Sequence, residues 1–219
     1  EEEELKNPKA HIEQDVIYNI GLNPEKQYSI LTSIKNAQQN ASGARDLIST
    51  ELYEAINTLN RTVNNYSPDV FVKNGLFDFT TQVTLLRTKI RATLLHDEVY
   101  AIIMLGIYIE RANQVIRIIN SKYNDALIEK VNLGESVNTS YEWTTLLKCV
   151  EVYDMMRRHY RKVPTSHSVL EFLILNPKCP RSIMNSLNNI KCYINVIAGN
   201  ERPHPDSAAF LIGKLTAEY

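Results

Sequence analysis

ILTSIKNAQQNASGARDLISTELYEAINTLNRTV, residues 30–63, carries the pattern that decides the fold. Ile30, Ile34, Ala37, Ala41, Ala44, Ile48, Leu52, Ala55, Leu59 and Val63 recur every three or four positions. That is the 3.6-residue period of a helix with one apolar face, held for roughly nine turns. The reading predicts a single long helix here. Its alanines allow a neighbouring backbone to come close, which places the helix inside a bundle. Asn64, Asn65 and Ser67-Pro68 should end it, because a proline belongs at the start of the next helix.

Downstream the same period continues. Pro68 to Asn120 reads as one or two helices, with a short piece around Phe71–Phe79 and a longer one through Val83, Leu86, Ile90, Val99, Ile102, Ile109 and Ile116. Gly106 inside that stretch costs helix stability unless a partner packs on it. A looser region is expected from Asn120-Ser121, and Asn132, Gly134, Asn138 and Thr139 mark a loop. Glu142–Tyr160 reads as one helix with Trp143, Leu146, Leu147, Val150, Tyr153 and Met156 in its core stripe. Ser166 or Ser168 is the expected cap of a short helix over Val169–Leu173. Helices over Ile183–Ile197, ending at Gly199-Asn200, and over Ser207–Tyr219 complete the chain. Upstream, residues 1–20 carry no pattern that places them in an element or outside one, and Gly21 and Asn23-Pro24 read as a turn. Without alternating strand runs, the expectation is an all-α helical bundle of long amphipathic helices, a single domain over residues 1–219.

Residues 22–37 (LNPEKQYSILTSIKNA) and 175–190 (LNPKCPRSIMNSLNNI) share seven of sixteen positions at one offset of 153: Leu22/Leu175, Asn23/Asn176, Pro24/Pro177, Ser29/Ser182, Ile30/Ile183, Ser33/Ser186 and Asn36/Asn189. Each copy reads as a turn entering a helix, where a serine hydroxyl can cap backbone N–H groups or hold an anion; capping is the simpler expectation. The repeat predicts two similar half-bundles in an internal two-fold arrangement. The first copy starts at residue 22, so the first half is expected to be incomplete, with the counterpart of residues 106–160 lying upstream.

Composition narrows the function classes. Of 219 residues, 24 are Lys or Arg and 25 are Asp or Glu. That balance lacks the basic excess of a nucleic-acid binder. The short cluster Arg157, Arg158, Arg161 and Lys162 reads as compensation of a helix C-terminus. No unbroken run reaches the ~18 apolar residues of a bilayer-spanning helix, and the N-terminal residues lack the apolar core of a signal peptide. Cys149, Cys179 and Cys192 make neither a disulfide framework nor a metal knuckle. The expectation is a soluble cytoplasmic protein with reduced thiols, no nucleic-acid partner and no membrane partner.

The polar candidates are few. In GIYIERANQVIRII, residues 106–119, Glu110 and Arg117 stand seven apart on one helix face, with Arg111 one residue round. A charge inside a bundle must be paired. Arg45 is the expected partner of Glu110, and Glu51 that of Arg111. Asn40 and Asp46 lie in the same stretch. The five histidines show no H-E-x-x-H or E-x-x-H spacing, no glycine-rich phosphate loop is present, and no nucleophile arrangement can be assigned. No metal and no cofactor are expected.

Several of these segments are similar to motifs of one family. Gly106, Ile107, Tyr108, Ile109, Glu110, Arg111 and Ala112 resemble a G-R-Y-x-E-R-A motif, and Thr93–Tyr100 the run before it. Ala37–Asn57 resembles A-R-E-N-A-R-x-x-R-D-x-I-S-x-E-x-W-E-x-L-N. The segment from Asn23 and Phe172–Ile183 are similar to N-P-x-S-I and F-L-x-L-x-x-x-x-P-R-S-I. The chain thus resembles the alpha-E domain family of bacterial helical proteins over residues 20–219. Asn40, Arg45, Asp46, Glu51, Glu110 and Arg111 match the motifs; Gln38, Gln39, Tyr53 and Ile107 depart from them. Family members occur beside, or fused to, ATP-grasp ligase-like and transglutaminase-like proteins. The resemblance implies a helper role in making or modifying a peptide or amide-linked compound, with one of those proteins as partner. Three functions follow as expectations: a non-catalytic binding or scaffold module, a tailoring subunit using the Glu110, Arg111 and Arg45 group, and a purely structural bundle.

Overall fold

The computed structural model describes residues 8–133, 139–199 and 203–218. Every element among them is helical: α1 Pro8–Gly21, α2 Ile30–Gly43, α3 Thr50–Asn64, α4 Pro68–Val70, α5 Leu76–Thr93, α6 Glu98–Leu133, α7 Thr139–Cys149, α8 Tyr153–Tyr160, α9 Ser166–Leu175, α10 Ile183–Ala198 and α11 Ala208–Glu218. The all-α bundle expected from the period is what forms. The chain divides into two compact units, Glu1–Val99 and Tyr100–Tyr219, where the sequence reading has one domain.

In the first unit the long helix expected over 30–63 is two helices. α2 stops at Gly43, and a 3₁₀ turn over Arg45–Leu47 follows. Ser49 then caps α3 by accepting the Leu52 N–H. Its hydroxyl also meets Thr93 Oγ1 at 2.6 Å. The period survives the break because both helices serve one core. Gln38 donates to Asn57 Oδ1 at 3.3 Å, so α3 runs back along α2. α5 returns along α3 through Ser49–Thr93, Gln82–Thr62 and Tyr66–Asp78 hydrogen bonds. Ser42-Gly43 and Ser49, a poor helix pair followed by a good N-cap, are the local signals of the reversal.

Leu22, Ile34, Leu59, Val63 and Phe71 form the buried centre of this unit. Phe71 opens a π-helical turn, Phe71–Gly75. Its ring is held between glycines. A Cβ on Gly21 would lie 2.2 Å from Phe71 Cε1, and one on Gly75 would lie 2.5 Å from Phe71 Cδ2. Both glycines are there because the ring occupies the space of a side chain.

In the second unit the core gathers Val115, Trp143, Leu146, Leu147, Val150, Val152, Met156, Val169, Phe172, Leu173 and Cys179. Trp143 and Met156 are packing residues, as their spacing predicts. The helix expected over 142–160 breaks after Cys149. Glu151 adopts a left-handed conformation (φ 58), the Val152 N–H reaches Leu147 O at 2.9 Å, and the Glu151 N–H reaches Lys148 O at 3.0 Å. This is a Schellman stop on a residue other than glycine. An ion pair between Glu151 and Arg181 ties the stop to the turn before α10. α9 is capped by Thr165, with Ser168 as its reciprocal partner. Ser168 therefore sits three residues inside the helix, and neither serine is the cap.

α6 runs through Asn120 to Leu133 with no loosening at Asn120-Ser121. Polar residues on the outer side of a helix do not end it, and the Lys122–Glu142 ion pair at 2.6 Å joins α6 to α7. Of the expected loop, Gly134 and Asn138 lie outside the described residues, as do Glu1–Glu4. Residues 8–21, which the sequence pattern leaves unplaced, form α1. The stretch Glu98–Lys122 is long and apolar enough to cross a membrane by length and composition alone. Counting unbroken apolar runs overlooks it, since Glu110 and Arg111 interrupt the count. Core helices of globular proteins reach the same length and composition. Tyr100, Ala101, Met104, Tyr108, Ala112 and Val115 bury one face of it.

The segments 22–37 and 175–190 carry the same bonds at the 153-residue offset. Asn23 Oδ1 accepts from the Glu25 N–H, and Asn176 Oδ1 accepts from the Lys178 N–H, both at 2.9 Å. Backbone bonds Lys26→Asn23, Ser29→Lys26 and Ser33→Ser29 match Cys179→Asn176, Ser182→Cys179 and Ser186→Ser182. Ser29 and Ser182, both fully buried, cap α2 and α10 through the Thr32 and Asn185 N–H groups. Capping accounts for both hydroxyls. The likeness is local, since Leu22 and Ser186 are buried whereas Leu175 and Ser33 are exposed.

Candidate functional site

The Glu110-Arg111 dipeptide lies mid-way along α6, and its two side chains part company. Arg111 is half-buried. Its guanidinium sits 5.0 Å from the centre of the Tyr108 ring and donates to Pro180 O at 3.3 Å. Tyr108 stacks on Tyr193 of α10 with ring centres 5.9 Å apart, and Tyr193 meets Tyr100 edge-on at 6.1 Å. Arg111, Tyr108, Tyr193 and Tyr100 thus form one continuous cluster joining α6 to α10 and to the turn that precedes it. A guanidinium suits this place because it is planar, weakly hydrated and always charged.

Glu110 is exposed, which corrects the expectation of a buried, paired carboxylate. The helix turns 100° per residue, so the residue after Tyr108-Ile109 cannot share the buried face of Tyr108 and Ala112. Gly106 is likewise open: a Cβ there would meet none of the described residues within 4 Å. Around Glu110 the outer face of α6 is apolar. Ile102, Ile109 and Ile116 are 59%, 44% and 40% exposed at seven-residue spacing, with Arg117 exposed on the same side as Glu110.

The other sequence candidates belong to the first unit. Arg45 donates to Ile48 O at 3.4 Å and Thr50 Oγ1 at 3.1 Å, and lies 4.7 Å above the Tyr53 ring. These contacts hold the α2–α3 reversal. Asn40 is exposed, and its carbonyl accepts the closing N–H of α2 from Ala44. Asp46 and Glu51 are exposed, Glu51 in the first turn of α3, where a carboxylate complements the helix dipole. Gln38, Ser42, Tyr53 and Asn57 form a polar cluster beside Arg45 that the sequence reading did not single out. Gln38 donates to Ser42 Oγ and Asn57 Oδ1. Hydrogen bonds with Ser42 and then Asn57, and to a lesser degree the Arg45 charge, hold the Tyr53 phenol below its ordinary pKa. Two of the departures from the family pattern, Gln38 and Tyr53, meet here.

The whole chain, residues 1–219, matches the model of a family described as "a predicted alpha-helical domain with a conserved ER motif". This chain belongs to the alpha-E family. The Glu-Arg dipeptide occurs in it twice, as Glu110-Arg111 and as Glu201-Arg202, the latter outside the described residues. None of the curated proteins and none of the solved structures matches the chain. In this alpha-E chain Glu110-Arg111 therefore combines an inward arginine that fastens two helices with an outward glutamate on an apolar face. Among the described residues no group of three His, Cys, Asp or Glu side chains is placed to hold a metal ion.

Sequence reasoning missed Tyr193 because its contacts are with residues about 85–93 positions away and no local motif marks them. Burial first, and then the neighbouring Tyr100 and Tyr108 phenols, push its hydroxyl up from 10.0 to about 12. The folded alpha-E chain therefore keeps a proton that the unfolded chain releases above pH 10. This contribution to stability is full below pH 10 and is lost as pH rises towards about 12. Urea denaturation across that window should show stability falling, and Tyr193→Phe should flatten the fall. An equally steep loss in Tyr193→Phe would remove Tyr193 as its source.

Proposed function

We propose that this alpha-E chain is a non-catalytic docking module that presents the outer face of α6 to a partner protein of a peptide- or amide-forming system. The observation that carries it is the exposed stripe Ile102, Ile109 and Ile116 with Glu110 beside it. An exposed apolar stripe rimmed by charge is the surface that protein partners bury. Glu110 and Arg117 lie on one flank, seven residues apart, so the fitting partner is an amphipathic helix with a cation and an acid at the same interval in reverse order. Open Gly106 leaves room for that helix to come close. The family resemblance supplies the class of partner, an ATP-grasp ligase-like or transglutaminase-like protein.

The test uses the full chain and an ATP-grasp ligase-like protein encoded in the same genome, with a transglutaminase-like protein as the second arm. Calorimetry should detect a complex with one of them. Ile109→Asp and Glu110→Lys should each weaken it about thirtyfold or more, the effect of removing an interface anchor. Circular dichroism should show both variants folded. Absence of a complex with either protein, or a complex that both variants form normally, would overturn the reading.

A further inference from the structure

Away from α6, the second unit contains a cavity of about 620 Å³ between the end of α8, α9 and the turn after α9. Its size is that of a small-molecule site. Arg158, Arg161 and Lys178 surround it, and Met155, His159 and Phe172 supply the apolar and aromatic wall. The neighbouring arginines are neutralised: Arg157 pairs with Asp154 at 3.1 Å, and Arg181 with Glu151. No carboxylate among the described residues pairs with Arg158, Arg161 or Lys178.

Compensation of helix ends explains only part of this charge. α8 and α9 both end at the cavity, and each C-terminus is equivalent to roughly half a negative charge. Together they offset about one of the three cations. The remaining positive charge is focused into a concave, partly apolar space, which draws anions. The geometry of Arg161 is also unusual. It closes α8 in a left-handed conformation, φ 52 and ψ 31, with its N–H on Arg157 O. A glycine would hold that conformation at less cost, so helix closure alone does not call for an arginine. Phe172 is buried, and the His159 ring leans against it at 5.9 Å. The exposed His159 ring, backed by buried Phe172, gives the cavity a flat wall suited to a ring or short apolar group.

We propose that this cavity binds a phosphate monoester carrying a small apolar or aromatic body. Arg158, Arg161 and Lys178 hold the phosphate, and His159 and Met155 hold the body, with buried Phe172 backing the imidazole. Guanidinium groups match the oxygens of a phosphate in pairs, and the lysine adds a point charge.

Isothermal titration calorimetry of the full chain in low salt, with phenyl phosphate, inorganic phosphate and phenol, tests the assignment. Phenyl phosphate should saturate one site, bind more tightly than inorganic phosphate, and weaken as salt is added. Phenol should not bind. The double substitution Arg158→Gln/Lys178→Gln, at two exposed positions, should weaken phenyl phosphate about tenfold or more. Arg161→Gly keeps the left-handed helix stop and removes the charge, so it should weaken binding while leaving the thermal midpoint unchanged or higher. This second variant carries the test if the double one misfolds. Failure of phenyl phosphate to saturate, equal binding of phenol, or native affinity in Arg161→Gly would overturn the proposal.

Discussion

Phe71→Ala should lower the unfolding free energy of the first unit by about 3–5 kcal/mol, the largest single-residue effect expected in the chain. Phe71 is 1% exposed and touches the centre of a small core built from Leu22, Ile34, Leu59 and Val63. Its removal leaves a cavity, and the π-turn and α1, which approach the ring through glycines, bring no side chain to fill it. Gly21→Ala attacks the same contact from the other side. Its new Cβ would need the space of Phe71 Cε1, and overpacking of that kind costs about 1–3 kcal/mol. In the double variant the clash is gone and the alanine methyl refills part of the hole. The two losses should therefore sum to more than the loss of the double variant. Urea denaturation followed by circular dichroism reads all three. A loss below about 1 kcal/mol for Phe71→Ala would refute the description of this core.

Arg111→Ala and Glu110→Ala should differ in a way the sequence spacing does not suggest. Removing Arg111 deletes the charge on the Tyr108 face and the donor to Pro180 O, and leaves the aromatic stack without its end piece. Each of those interactions is worth roughly 0.5–1.5 kcal/mol at a half-buried site, so a total of about 2 kcal/mol is expected. Glu110 is exposed and its replacement should cost about 0–1 kcal/mol. Glu110→Ala should lose partner affinity with stability kept, and Arg111→Ala should lose stability first. Equal losses of stability in the two variants would show that the pair acts as one buried unit.

Much of the helical order was legible because the code for it is local. The period over 30–63, the Ser67-Pro68 stop, the core role of Trp143 and Met156, and the shared turn-and-cap segments at 23–33 and 176–186 depend on neighbours within two turns. The breaks were harder. Residues 44–49 keep the apolar phase through a reversal, so periodicity alone cannot reveal it, and the stop at Glu151 uses a left-handed residue that is not glycine. The site was half legible. Glu110 and Arg111 stood out as charges in an apolar stretch, and the assumption that both face inward failed for Glu110.

By itself the sequence determined that the chain is helical, where most of its helices begin, and to which family it belongs. Local backbone preference, capping and a one-sided apolar stripe are properties of consecutive residues, and they survive in any arrangement of the helices. Folding in three dimensions is what makes Arg111 end an aromatic stack completed by Tyr193, Gly21 and Gly75 make room for Phe71, and Arg158, Arg161 and Lys178 gather around one cavity. Each of these joins residues from separate segments, and a contact between segments exists only once the chain between them has folded back.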